Sequence, residues 1–135
     1  SQEVDPMRKS RDYLRLAAIH LKLGNLSAAK GDCANAVRAN ENSGDAYLMW
    51  ANVYASAAGT CGNNVFEKNA VYWAAIDKAS RAKQVDASLT GRADKLIAAF
   101  RKGIPDKSIS FQFNYKEGDR YAIGCWINET VTVRF

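Results

Sequence analysis

One stretch of this chain repeats itself, and the interval of the repeat limits what the chain can fold into. Tyr13, Leu16, Ala17 and His20 return 34 residues later as Tyr47, Trp50, Ala51 and Tyr54. Positions i, i+3, i+4 and i+7 share one face of an α-helix, so each quartet predicts an inward stripe. Between the copies stand Gly24-Asn25, suited to end a helix in left-handed backbone, and then Ala29, Cys33, Ala36 and Val37 at helical spacing. Small side chains at those places let two antiparallel helices approach closely. A helix-turn-helix unit of this length cannot bury its apolar face alone and does so by stacking on neighbours.

That frame orders the rest of the helices. Asp5-Pro6 offers an N-cap followed by a proline at the first helical position, and residues 1–6 are expected to fray. Helices are expected over about 6–23, 26–39, 45–57, 66–84 and 86–102, with turn residues at Asn40–Gly44 and a stop at Gly103-Ile104-Pro105. In the second unit the period fails. The counterpart of Ala29 arrives only at Ala75, which implies an insertion of twelve residues near 58–68 with Gly59, Gly62, Asn63 and Asn64 as its loop. Tyr72 and Trp73, adjacent on the fourth helix, cannot share a face. The fifth helix, with Ala93, Leu96, Ile97 and Phe100 inward and no partner, reads as a cap.

From Ser108 the period drops to 2. Phe111, Phe113 and Tyr115 alternate with polar residues, 116–119 is a turn, and Tyr121, Ile123, Cys125 and Ile127 alternate again. After a second turn at Asn128-Glu129 come Val131, Val133 and Phe135. This predicts a two- or three-stranded antiparallel meander. Two strands alone are marginal in water, so the meander is expected to pack on helix five or on the insertion. The expected organisation is a helical part over 1–107, with units at about 8–43 and 44–88 and a cap at about 87–102, then a β part over 108–135.

Composition narrows the chemistry. The 135 residues are 47% hydrophobic and 24% charged, the proportions of a soluble globular domain. No apolar run approaches the roughly 18 residues that a membrane-spanning helix needs. The opening SQEVDPMRKS lacks the layout of a signal peptide and reads as the middle of a longer chain. A net charge of +5 invites a nucleic-acid partner. The basic residues, however, are spread from Arg8 to Arg134 with acids between them, which points to a solvated surface and no nucleic acid. Three cysteines without a CxxC spacing give no zinc set. Cys33 reads as a buried free thiol, while Cys61 and Cys125, in loop and strand contexts, could pair or remain free; pairing would imply an oxidising compartment.

The 34-residue period resembles the tetratricopeptide repeat over about residues 8–102, strongest in the first unit. The family commonly has a proline near the inter-unit turn, where this chain has Glu41. The blocks CGNNVFEKNAVYWAAIDKASRAKQVD and KEGDRYAIGCWINETVTVRF look like the C-terminal region of tetratricopeptide proteins of the Bacteroidetes envelope. That resemblance implies an α-α superhelix with a capping helix and a small β-hairpin or meander. It also implies a periplasmic or envelope location and a non-catalytic scaffold that binds a protein or peptide, and it strengthens the pairing of Cys61 with Cys125. An alternative is a terminal cap or self-assembly module of a longer envelope protein.

No catalytic, cofactor or metal set is expected. His20, the single histidine, stands where Tyr54 stands one period later and reads as a packed core ring. Carboxylate pairs such as Glu67 with Asp77, or Asp86 with Asp94, are what charged helix faces produce by chance. In the repeat family partners lie along the concave surface made by the first helix of each unit. By resemblance that groove would present Arg11, Leu14, Ala18 and Leu21, then Leu48, Asn52 and Ala55, then Asp94, Ala98 and Arg101. One subfamily clamps a C-terminal carboxylate with Lys and Asn on these faces. Here Leu14, Ala18 and Met49 occupy its places and only Lys95 is basic, so an apolar groove for a peptide or helix is expected instead.

Overall fold

A computed structural model describes residues 5–135, which are mainly helical. Six α-helices run α1 Pro6–Lys22, α2 Leu26–Ala39, α3 Gly44–Ala55, α4 Val65–Val85, α5 Thr90–Arg101 and α6 Lys107–Gln112 among the described residues. One antiparallel sheet of two strands follows, β1 Arg120–Ile123 and β2 Glu129–Thr132. Of the residues expected to fray, 1–4 lie outside the described residues. Asp5 and Pro6 instead start α1, the Asp5 carboxylate accepting the Met7 N–H at 3.0 Å.

The helix boundaries follow local side-chain chemistry. Asn25, Ser43, Asn64 and Asp106 each accept a backbone N–H of the helix they precede, satisfying a donor that has no intrahelical partner. At α4 the cap is reciprocal. Asn64 accepts from the Glu67 N–H at 2.9 Å, and the Glu67 carboxylate accepts from the Asn63 N–H at 2.8 Å. Gly24, at φ +79°, reverses the chain between α1 and α2 so that the two helices double back on one another. Their contact is made of small residues: Ala17, Ala29, Cys33 and Ala36 have no exposure at all. Ser10, nearly buried in the same seam, donates to the Ala36 carbonyl at 2.8 Å.

Two apolar clusters meet at α3. The smaller joins Ala17, Ala29 and Cys33 to Val53. The larger runs from Leu48 and Tyr54 through Phe66, Trp73 and the alanines of α4 to Ile123, Ile127, Val131 and Val133. α4 is therefore central, packed by α3 on one side, α5 on another, and by α6 and both strands.

The tail differs from the sequence expectation. Residues expected to begin the meander form α6 instead, and a 3-10 turn over Ala87–Leu89 precedes α5. Pro105 and the Asp106 cap favour a helix start, and Ile109, Ser110 and Phe113 turn inward at helical spacing while Phe111 is left 77% exposed. Asn114, at φ +68°, ends the helix. The meander is thus a hairpin, and residues 116–119 turn the chain from α6 into β1. The hairpin reverses over Gly124–Asn128 rather than at Asn128-Glu129, with Cys125 and Asn128 in left-handed backbone at φ +49° and +48°. It packs not on α5 but on α4 and on the insertion, where Cys61 and Phe66 meet it.

Phe66 explains that choice. Its ring stacks on Tyr115 with centroids 4.5 Å apart and lies edge-on to Tyr121 at 5.1 Å, so three segments share one aromatic knot. Trp73, fully buried, donates its indole N–H to the Arg134 carbonyl at 2.9 Å, whereas its neighbour Tyr72 packs half-buried on Phe100.

A disulfide joins Cys61, in the loop before α4, to Cys125 in the hairpin turn, with Cα atoms 5.9 Å apart and a separation of 64 positions in sequence. Closing a loop of that length in the unfolded chain is worth about 4 kcal/mol on the chain-entropy account. The double variant Cys61→Ser, Cys125→Ser is accordingly expected to lose up to about 4 kcal/mol in urea denaturation. A loss below about 1 kcal/mol would contradict that role.

Candidate partner-binding groove

Helices α1, α3 and α5 line two shallow clefts. In one, of about 290 Å³, Leu48 and Asn52 of α3 face Arg92, Lys95 and Leu96 of α5. Arg92 also reaches Asp45 at 3.4 Å, an exposed ion pair across the mouth. The other, of about 270 Å³, sets Met7, Arg11 and Leu14 of α1 against Asn42, Asp45 and Asp86. Gly44 lies at the base of this second cleft, and a methyl there would overlap Leu89 and the Ala82 carbonyl, so the start of α3 sits tight against the end of α4.

The expected groove residues fall into three groups. Arg11 and Leu14 line the second cleft, and Leu48 and Asn52 the first, with Leu48 only 3% exposed as its floor. Leu21 and Ala55 are half-buried and packed on the smaller and larger clusters. Ala18, Asp94, Ala98 and Arg101 are exposed and line neither cleft, and Asp94 is engaged by Lys83 at 2.7 Å. On α5 the cleft face is Arg92, Lys95 and Leu96, turned by about one residue from the expected 94, 98 and 101. The inward stripe of α5, Ala93, Leu96, Ile97 and Phe100, is the expected one, so the offset lies in which flank of the helix borders α3. Arg92 is the residue that sequence reasoning missed.

The stripe expected on α1 is only partly inward. Ala17 is buried and Tyr13 half-buried, but Leu16 is 44% exposed because nothing among the described residues covers that side of the helix. His20 is not a packed core ring. Its Nδ1 lies 2.5 Å from a carboxylate oxygen of Asp32, forming a half-buried polar bridge between α1 and α2.

Tyr54, one period on, is fully buried because the hairpin covers it. Its hydroxyl donates to Glu129, and its ring packs beside Trp126 with centroids 5.9 Å apart. Glu129 is also 3.4 Å from the Lys78 ammonium, which sits 3.9 Å above the Trp50 ring. Lys30 reaches from α2 to donate to the Trp126 and Ile127 carbonyls, at 3.2 and 2.5 Å. Arg134 pairs with Asp77 at 2.7 Å. This latch fixes the tail to three helices.

Burial dominates the protonation of these groups. It pushes Tyr54 well above the usual phenol range, helped by the bond to Glu129, and lowers Lys30 against the opposing pull of Glu129. It raises Asp77 despite Arg134 beside it. The Cys33 thiol is pushed up to about 12, chiefly by burial and then by Asp32, and stays protonated. A third cleft, of about 450 Å³, lies along the disulfide between Asn63, Glu67 and Tyr121, where the insertion loop meets β1. No three His, Cys, Asp or Glu side chains converge as metal ligands among the described residues, and no described helix is long and apolar enough to cross a membrane.

Set against protein-family models, curated proteins and solved structures, the chain matches none.

The latch makes a pH prediction. Folding holds the proton on Tyr54, so its folded pKa lies above the unfolded value of about 10. Its contribution is complete below pH 10 or so and is lost as pH rises through the folded value, at up to about 1.4 kcal/mol per pH unit. Between about pH 10 and 11 the stability of the native chain should fall more steeply than that of Tyr54→Phe. Parallel slopes in urea titrations would count against the assignment.

Proposed function

We propose that this chain is a tetratricopeptide-like helical repeat domain that holds a peptide or protein segment along the face shared by α1, α3 and α5, without catalysing a reaction. The observation that carries the reading is the α3–α5 cleft. An apolar floor of Leu48 and Leu96 is bordered by the polar side chains of Asn52, Arg92 and Lys95. Apolar area supplies affinity and a few placed polar groups fix orientation, as peptide grooves require. The 34-residue period supports the repeat packing, with Ala17 and Ala51 each fully buried at matching positions. The Cys61–Cys125 bond supports an oxidising compartment, and with it the periplasm or envelope.

A second reading, a terminal cap within a longer envelope protein, is favoured by the tail. α6 and the hairpin cover α4 and leave no further helix pair stacked beyond α5 among the described residues.

The groove is tested with peptides selected from a random display library on the intact chain. Arg92→Ala with Lys95→Ala should weaken their capture about tenfold. Both side chains are exposed, and removing an exposed ion pair costs at most about 1 kcal/mol, so the fold should survive. Selected peptides that bind the double variant as well as the native chain would place the contact elsewhere.

A further inference from the structure

Leu16, Ile19 and Leu23 stand at i, i+3 and i+7 of α1 and its C-cap, and they are 44%, 54% and 76% exposed. Such a stripe is how one helix seats against another, yet nothing among the described residues covers it. It faces away from the groove residues Arg11 and Leu14, so a role for this face stands or falls independently of the groove.

The repeat itself shows what covers a face of this kind. One period on, Leu16, Ile19 and Leu23 correspond to Trp50, Val53 and Ala57. There the face is closed: Val53 and Ala57 have no exposure and Trp50 is half-buried. Val53 packs with Ala17 of α1 and with Ala29 and Cys33 of α2, so its cover is the preceding helical hairpin. The same chemistry at the same register therefore stands covered on α3 and bare on α1. The flank of the face differs. Where α3 has Ala46 and Met49, α1 has Asp12 and Arg15, an exposed ion pair at 3.7 Å. A hairpin seated on α1 would meet apolar side chains near the C-terminal end of the helix and charge nearer its start.

A second copy of this chain has no such hairpin to offer. The small-residue faces of α2 (Ala29, Cys33, Ala36) and α4 (Ala75, Ala79, Ala82) are already buried in its own core. We propose that the Leu16–Ile19–Leu23 face of α1 is the docking surface for one further antiparallel helical hairpin of the α1–α2 kind, bearing small residues at i, i+4 and i+7 of its second helix and polar residues opposite Asp12 and Arg15.

The probe is a tandem chain in which residues 10–43 occur twice, so that one whole period, with its Asn40–Ser43 turn, precedes a second α1. Ile19→Cys is introduced in either the first or the second copy, and native-state alkylation by iodoacetamide is timed. Cys33, buried with a raised pKa, gives the slow internal reference. The thiol in the second copy should react at least about tenfold more slowly than the same thiol in the single-period chain, and the thiol in the first copy at the single-period rate. Leu23→Cys, at the outer edge of the face, should repeat the pattern if Ile19→Cys perturbs packing. Equal rates in the two copies, with the added hairpin folded but undocked, would overturn the proposal. So would a single-period chain that sediments as a dimer and becomes monomeric on Ile19→Lys, because the face would then belong to self-association.

Discussion

Close approach of helices over alanine is the constraint on which the rest of the structure depends. Ala17, Ala29, Ala36, Ala51, Ala75, Ala79 and Ala82 have no exposure, and each would force its helix outward if it carried a longer side chain. Alanine loses no side-chain entropy on burial, but it also removes little apolar area from water. The seams therefore set geometry more than they supply stability. The large contributions come from a few side chains that fill the spaces between seams: Tyr54, Phe66, Trp73 and Val53.

Most of those side chains are completed from a distance. Phe66 needs Tyr115 and Tyr121, Trp73 needs the Arg134 carbonyl, and Tyr54 needs Glu129. The tail thus acts as the last layer of the helical core, and the Cys61–Cys125 bond shortens the search that brings it there. The same arrangement makes the two ends unlike. At α4 the helices are covered by α6 and the hairpin, whereas α1 carries aliphatic side chains into water.

The sequence made the helices legible because their signals are local. A capping side chain lies two or three residues from the N–H it accepts, and Gly24 marks its own reversal. Several features were not legible, each because it depends on partners outside the local window. Over six residues an alternating pattern fits a strand or a short helix equally well, and at 107–112 the Asp106 cap decided for the helix. Periodicity reveals that Leu16 belongs to an apolar stripe but not whether anything covers it. On α5 the inward stripe is legible but the flank that borders α3 is a tertiary matter, so the resemblance points to Asp94, Ala98 and Arg101 where the cleft presents Arg92. His20 and Tyr54 occupy the same repeat position, but only one lies beneath the hairpin, and that difference is tertiary.

Native-state hydrogen exchange, resolved by residue, tests the central claim that a tail-clamped centre carries an open end. Amides of α4 between Trp73 and Ala79 should exchange only through global unfolding. Those of α1 near Ile19 should exchange through a cheaper opening that leaves α3, α4 and the hairpin folded. Equal protection of α1 and α4 would contradict the claim, because the exposed end would then be as firmly held as the centre.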